Sequence, residues 1–454
     1  MADIDHPINR GASAFMRTGP GFSPLEYTGY RDEILGSKNG AYLGTSLCDS
    51  PIYEVSGPDV ERFLSSVCVN DFSGTQVGSI RHAVICNAKG QIMTDGVAMK
   101  IGTDRYRTYW LQPVIDFLLQ RSGMDVRGED QTGQHFFYQL AGPRSLEILE
   151  HASQSDLHDI RFATHRTATI DGVETRILRL GMAGTLAYEI HGPWETSARV
   201  YEAIWQAGQR YGIKKLGRIA YCMNRTEAGF PNIHIHYPLP WYEDSEFAAY
   251  LDERPGAGFF NENRKLIGSV GEELEVRFKT PFDLGWGRLV NFDHDFIGKA
   301  ALQQIAANPR TTVVTLEWNA DDIAEVFASQ FRGREVEPCH PIERPGDLNF
   351  NLQDFGARPG GIWYHADWVL SDGKRIGTST GRIHSVYYQR MLSLGFIDKE
   401  HAVEGKQLMV LWGGLPGTPQ KEIRVTVARF PYLQLEHNRA IDVEAIPRYQ
   451  PGAG

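Results

Sequence analysis

The apolar pattern predicts a mixed α and β protein whose last third is a compact β-rich domain. Three observations carry this prediction. Strand-like and helix-like stretches alternate over the first three hundred or so residues. A β-hairpin with a carboxylate in its second strand is written between Cys68 and Met99. From Thr311 onward, short alternating segments are separated by Gly, Pro and Asp.

In chain order, residues 58–66 suit a short helix ahead of the hairpin. The hairpin has an apolar run at 83–86, a polar tight turn at 87–90, and a second run whose alternation is broken by Asp95. An acid on the buried face of a strand is costly without hydrogen bonds or a ligand, so Asp95 invites a functional reading beside the plain one of a surface aspartate. Another helix is expected at 114–123 and strands at 136–141 and 175–181. Residues 196–212 space Val200, Ala203, Ile204, Ala207 and Tyr211 as on a helix that Gly212 can end. Two β-α-β-like halves in a mixed sheet arrangement would satisfy this order. Strands at 313–318, 363–370, 392–398, 407–412 and 422–428 build the C-terminal domain, with a long Pro- and Gly-rich loop at 335–361.

Composition narrows the function classes. The 454 residues suffice for two or three domains, and the net charge of −10 is scattered without a basic patch for nucleic acid or a polybasic membrane anchor. Residues 1–21 hold no apolar core of signal-peptide length and no later window approaches a membrane span, so a cytoplasmic protein is expected. Five cysteines at wide spacings, without a Cys-x-x-Cys pair, write neither a disulfide framework nor a zinc ribbon.

The hairpin, with Cys68-Val-Asn-Asp71 before it and Ile85-Cys-Asn-Ala-Lys-Gly-Gln-Ile-Met-Thr-Asp95 within it, resembles the N-terminal block of the aminomethyltransferase (T-protein) family. Matches continue in order through Gly181-Met-Ala-Gly184, Ala187-Tyr-Glu-Ile190, Arg225-Thr-Glu-Ala-Gly229, Phe296-Ile-Gly-Lys-Ala-Ala-Leu302 and Gly377-Thr-Ser379. Asn291-Phe-Asp-His-Asp-Phe-Ile-Gly298 and Val314-Thr-Leu-Glu-Trp-Asn-Ala-Asp-Asp322 look like the tetrahydrofolate-dependent aryl O-demethylases acting on vanillate and 3-O-methylgallate. The resemblance implies an α+β, three-lobed folate-binding fold: a catalytic region over 1–310 made of two interleaved α+β lobes, and a C-terminal β-barrel over 311–454.

It also implies roles. Glu189 stands where the family's glutamate grips the pterin, since a carboxylate accepts two parallel N–H bonds from an aminopyrimidinone edge. Asp95 matches the second of the family's paired aspartates and Thr94 occupies the first, which weakens iminium-type chemistry and leaves room for another methyl donor. Arg225 joins Glu189 and Asp95 in the folate-binding set. Tyr221, in Ala220-Tyr-Cys222, resembles the catalytic tyrosine of the aryl demethylases. A phenol of ordinary pKa near 10 matches a departing phenoxide, although a tyrosine beside an alanine also suits core packing. The reaction so implied moves a methyl group from a methoxyarene to N5 of tetrahydrofolate, with Tyr221 and Asp95 as catalytic residues.

The substrate side is less regular. His82 replaces a family tyrosine, Ser46-Leu-Cys-Asp49 stands where the demethylases carry a histidine pair, and Leu111 stands for an arginine. His82, Phe230, His234 and His236 are the candidate pocket residues, so a vanillate-, syringate- or chlorinated methoxybenzoate-like acid fits. His234 and His236, two apart, would share one face of a strand in metal-ligand geometry, but no third ligand is near and no metal is expected. Gly377-Thr-Ser-Thr-Gly381 fits a nucleophile-elbow pattern but has no helix signal after it, so it reads as strand and turn. No dinucleotide or phosphate-binding glycine motif appears, and NAD, FAD and ATP are not expected. The alternatives are an S- or N-methyl transferring enzyme of the same fold, such as a dimethylsulfoniopropionate demethylase or an aminomethyltransferase, and a non-catalytic folate-binding module. The module class carries a Lys-Gly-Cys-Tyr-x-Gly-Gln-Glu stretch that this chain lacks.

Overall fold

The computed structural model describes residues 2–18, 21–254, 264–347, 363–414 and 417–450. Three sheets meet around one helix. The hairpin expected from the sequence is the edge of a five-stranded sheet in the order Ile80–Cys86, Ile92–Gly102, Arg105–Tyr109, Ile52–Ser56, Arg127–Asp130. In its turn, the Asn87 Oδ1 accepts from the amides of Lys89 and Gln91, and Gly90 takes φ +79°.

A six-stranded sheet follows in the order His165–Ile170, Val173–Leu178, Ala187–Pro193, His135–Ala141, Tyr42–Gly44, Lys214–Leu216, and only its last pair is parallel. The β-α-β arrangement read from the sequence is therefore corrected to largely antiparallel lobes. The cause is local. Turns as short as Asp171-Gly172 can only return the chain antiparallel.

Helices at Val60–Val67 and Ser197–Gln209 lie within two or three residues of their expected bounds, and the one expected at 114–123 is helical over Val114–Leu119. The second of these buries Val200, Tyr201 and Ile204 against Phe136, Tyr138 and Leu149 of the six-stranded lobe.

The barrel runs Trp363–Ser371, Lys374–Ser385, Arg390–Asp398, Thr311–Trp318, Lys421–Ala428, Gln407–Trp412 and closes back on Trp363–Ser371. Closure leaves it no open edge among these six strands. The strand Lys374–Ser385 contains the Gly377 to Gly381 segment, in agreement with its reading as strand and turn. Its alternation is hidden by a register shift between Thr380 and Ile383 and by two glycines at positive φ. Of the expected loop at 335–361, residues 335–347 carry no helix or strand and 348–362 lie outside the described residues.

After Ala428 the chain leaves the barrel and returns to the six-stranded lobe, although the sequence reading counted it with the barrel. The buried Arg179 guanidinium donates to the Asn438 side chain and to the carbonyls of Asn438 and Ile441, at 2.7–3.2 Å. The Asn438 amide donates to the Ala187 carbonyl at 3.0 Å. Farther on, His158 bonds the Ile446 carbonyl, and the Tyr449 amide donates to Glu150. Glu150, Asp156 and His158 are close enough to surround a cation, but their atoms are committed to one another and to this segment. All five cysteines are free thiols, and no helix among the described residues is long and apolar enough to cross a membrane.

Hydrogen bonds to a charged group are worth about 1.5–3 kcal/mol each at most, and they are not additive. Arg179→Leu is expected to lower the unfolding free energy by roughly 3 kcal/mol in denaturant titrations. It should also open residues 430–450 to amide exchange ahead of the barrel.

Candidate active site

The helix Arg218–Glu227 lies where the three lobes touch, and its buried residues share a core with Tyr109, Phe137, Ile383 and Leu392. It is pinned at both ends. The Gly217 amide donates to the buried Glu33 at 2.7 Å, Arg218 pairs with Asp49 at 2.5 Å, and Lys38 pairs with Glu227 at 2.9 Å with both side chains fully inaccessible. This rigidity fixes Tyr221 and Arg225, one turn apart on one face.

The Arg225 guanidinium lies 4.2 Å from the centroid of the Tyr221 ring. Both side chains are buried, and neither the Tyr221 hydroxyl nor Arg225 Nε has a hydrogen-bond partner among the described residues. Burial lowers Arg225 to about 9, opposed by the charges of Asp95 and Glu189. A buried cation with no carboxylate hydrogen-bonded to it is a poor resting arrangement and a good ligand site.

Glu189 enters from the six-stranded sheet, opposite Gln139 in register. It is 3% exposed, and its Oε2 and the Gln139 Oε1 both lack partners among the described residues. On the same strand, His191 directs Nε2 at Glu189 Oε2 from 3.9 Å, too far for a hydrogen bond, while its Nδ1 meets the Tyr109 hydroxyl at 2.7 Å. Burial pushes Glu189 up to about 7, against the lowering effects of Gln139 and Arg225.

Asp95 enters from the five-stranded sheet. Its Oδ2 lies 2.9 Å from His82 Nε2, and its Oδ1 accepts from the Tyr237 hydroxyl at 3.2 Å. The His82 ring meets Trp286 edge-on at 4.7 Å and Phe230 at 5.8 Å. The expected residues Tyr221, Arg225, Glu189, Asp95, His82 and Phe230 thus bracket one region. Thr94 turns away and donates to the Trp110 carbonyl.

His234 and His236 do not share a strand face, which corrects the sequence reading. They sit in a tight turn closed by an Ile233–Tyr237 bridge, with His234 at φ +66°. The turn sends them apart. His234 Nδ1 meets the Tyr364 hydroxyl at 2.7 Å, while His236 Nε2 meets Thr226 Oγ1 at 3.2 Å and its Nδ1 accepts from the Asn232 amide. Burial lowers both to about 3, so they are neutral packing groups. His236 also lines a small cavity with Lys279, Tyr364, His365 and Thr380, which Asp95, Glu189 and Tyr221 do not touch. The sequence reading missed Tyr237, Trp286 and Gln139. Gln139 alone had a usable signal, as the amide inside the otherwise apolar and aromatic run from Phe136 to Ala141.

A family model described as the GCVT N-terminal domain matches residues 50–236. The sesamin methylene transferase of a Sinomonas strain is 59% identical over 98% of this chain and 97% of its own length. The chain belongs to the GCVT, or T-protein, family. The syringate O-demethylase of a Sphingobium strain is 30% identical over 92% of both chains. The Bartonella henselae glycine cleavage aminomethyltransferase shares the fold, with a TM-score of 0.66 over 94% of this chain and 96% of that one at 18% identity.

The GCVT family is tetrahydrofolate-dependent, and this protein is one of its enzymes. The residues present fit that group. Glu189 Oε2 and Gln139 Oε1 offer unpaired acceptors to an aminopyrimidinone edge, and Arg225 offers an unpaired donor.

The Glu189 shift gives a signed expectation. Its folded value near 7 exceeds the unpaired 4.5, so its contribution to stability is complete below about 4.5 and is lost as pH rises through 7. A ligand donating N–H groups favours the carboxylate and must displace the proton. Tetrahydrofolate affinity, measured by calorimetry, should therefore rise as pH approaches 7, by up to about tenfold per unit, and level off above it. Glu189→Gln should remove the slope.

Proposed function

We propose that this enzyme takes the bridging carbon of a methylenedioxyarene, releasing a catechol and passing the carbon to tetrahydrofolate. The observation that carries the reading is 59% identity over 98% of the chain with a sesamin methylene transferase, because sesamin bears aryl methylenedioxy groups. The site supports it. An unpaired phenol beside an unpaired guanidinium suits a reaction in which negative charge develops on an aryl oxygen.

When bound, tetrahydrofolate supplies the amine nitrogens that accept the carbon. Glu189 and Gln139 hold its ring edge, and Arg225 offers a donor from the helix between the two sheets. Tyr221 gives its hydroxyl proton to the departing aryl oxygen, and the neighbouring Arg225 charge eases the loss of that proton. His82, Phe230 and Trp286 form aromatic walls suited to a planar donor. The carbon stays at the formaldehyde oxidation level, so no oxidant or reductant is required.

A second reading, O-demethylation of a methoxyarene such as a syringate-like acid, is favoured by the 30% identity with a syringate O-demethylase. Purified enzyme with tetrahydrofolate and a panel of methylenedioxybenzenes, methoxybenzoates, dimethylsulfoniopropionate and dimethylglycine separates these readings by mass spectrometry. Catechol with 5,10-methylenetetrahydrofolate is the expected product pair. Phenol with 5-methyltetrahydrofolate would establish the second reading, and turnover of the sulfonium or amine alone would overturn both. Tyr221→Phe should lower kcat by about 10²- to 10⁴-fold with little change in tetrahydrofolate affinity.

A further inference from the structure

We propose that His82 is the base of the reaction, acting through Nδ1, and that Asp95 is its positioning residue. The register brings them together. Asp95 lies directly opposite Val84 in the hairpin, and His82, two residues from Val84, is its diagonal neighbour on the same face. His82 Nε2 reaches Asp95 Oδ2 at 2.9 Å, and Tyr237 holds the other carboxylate oxygen at 3.2 Å. With Nε2–H donating to a carboxylate, Nδ1 is left as an acceptor.

That nitrogen has no protein partner among the described residues, and the side chain is 24% accessible against 6% for Asp95. The edge-on contact with Trp286 and the packing of Phe230 fix the plane of the ring. A carboxylate, an imidazole it orients and an open ring nitrogen repeat the base-and-orienter logic of acyl-transfer enzymes on an unrelated fold. Asp95 has both oxygens engaged, so His82 is the better placed of the two to meet a ligand.

The inference rests on the reading that the carbon moves from oxygen to a folate amine. His82 Nδ1 takes the amine proton as the N–C bond forms. The C–O bond breaks with its electron pair on the aryl oxygen, which Tyr221 protonates. The imidazolium, stabilised by Asp95, returns its proton through water to the Tyr221 phenoxide. No electrons are gained or lost overall.

Nitrogen-15 NMR of histidine-labelled protein, with the His82 signals assigned by their loss in His82→Gln, should show the Nε2–H tautomer. Asp95→Asn should change it, and tetrahydrofolate alone should shift Nδ1. In single turnover, His82→Gln keeps a donor for Asp95 and should bind tetrahydrofolate normally, yet lose about 10²-fold or more in rate. Imidazole should restore part of the activity of His82→Ala. An Nδ1–H tautomer, a tautomer indifferent to Asp95→Asn, or a Gln variant whose only defect is weaker folate binding overturns the proposal. If wild-type enzyme moves carbon from no aryl ether or acetal, the reading of the reaction fails. The Nδ1 shift on adding tetrahydrofolate still decides His82: its presence supports the proposal and its absence overturns it.

Discussion

A guanidinium buried where three sheets meet, without a hydrogen-bonded carboxylate among the described residues, is the constraint around which this structure is organised. Leaving a buried charge uncompensated typically costs about 3–5 kcal/mol. The fold tolerates Arg225 because its helix is tied down at Glu33, at Asp49 and by the inaccessible Lys38–Glu227 pair, and because core residues of all three lobes surround it. The carboxylates nearest to it, Asp95 and Glu189, come from different sheets and influence it through space rather than by contact. A ligand that inserts between the helix and the six-stranded sheet can supply partners to Arg225, Glu189 and Gln139 at once.

The two acids divide the work because their surroundings differ. Asp95 has a donor on each oxygen and behaves as part of the framework. Glu189 is equally buried but has an oxygen with no partner, and burial holds its proton up to about 7. One acid is already satisfied by the protein, and the other is left for a ligand to satisfy. Thr94, next to Asp95 in the hairpin, is spent on a backbone carbonyl.

Much of this was legible in the sequence where a two-residue period decides the outcome. The hairpin and five barrel strands follow from alternation, and Asp95, the one acid breaking it, sits in the site. The sixth barrel strand, Lys374–Ser385, escaped because a register shift and two positive-φ glycines erase its alternation. The sheet direction escaped because alternation does not record the partner. His234 and His236 were misread because φ +66° at His234 turns what looks like a strand into a tight turn. Tyr237 and Trp286 carry no local mark of their roles, which exist only once the hairpin folds against them. The return of residues 430–450 to Arg179 depends on a side chain some 260 positions away.

A methyl ether and a methylene bridge make different demands on such a site. The ether loses one C–O bond, so one proton goes to oxygen and one leaves the accepting amine, whereas the bridge loses two C–O bonds and moves two protons each way. Either case calls for a group that removes a proton as well as one that supplies it, and the bridge calls on both groups twice. Tyr221 comes from the central helix and His82 from the sheet edge, and each has a polar atom without a partner among the described residues beside a charged neighbour, Arg225 for the phenol and Asp95 for the imidazole, which is the pairing the proposed reaction needs.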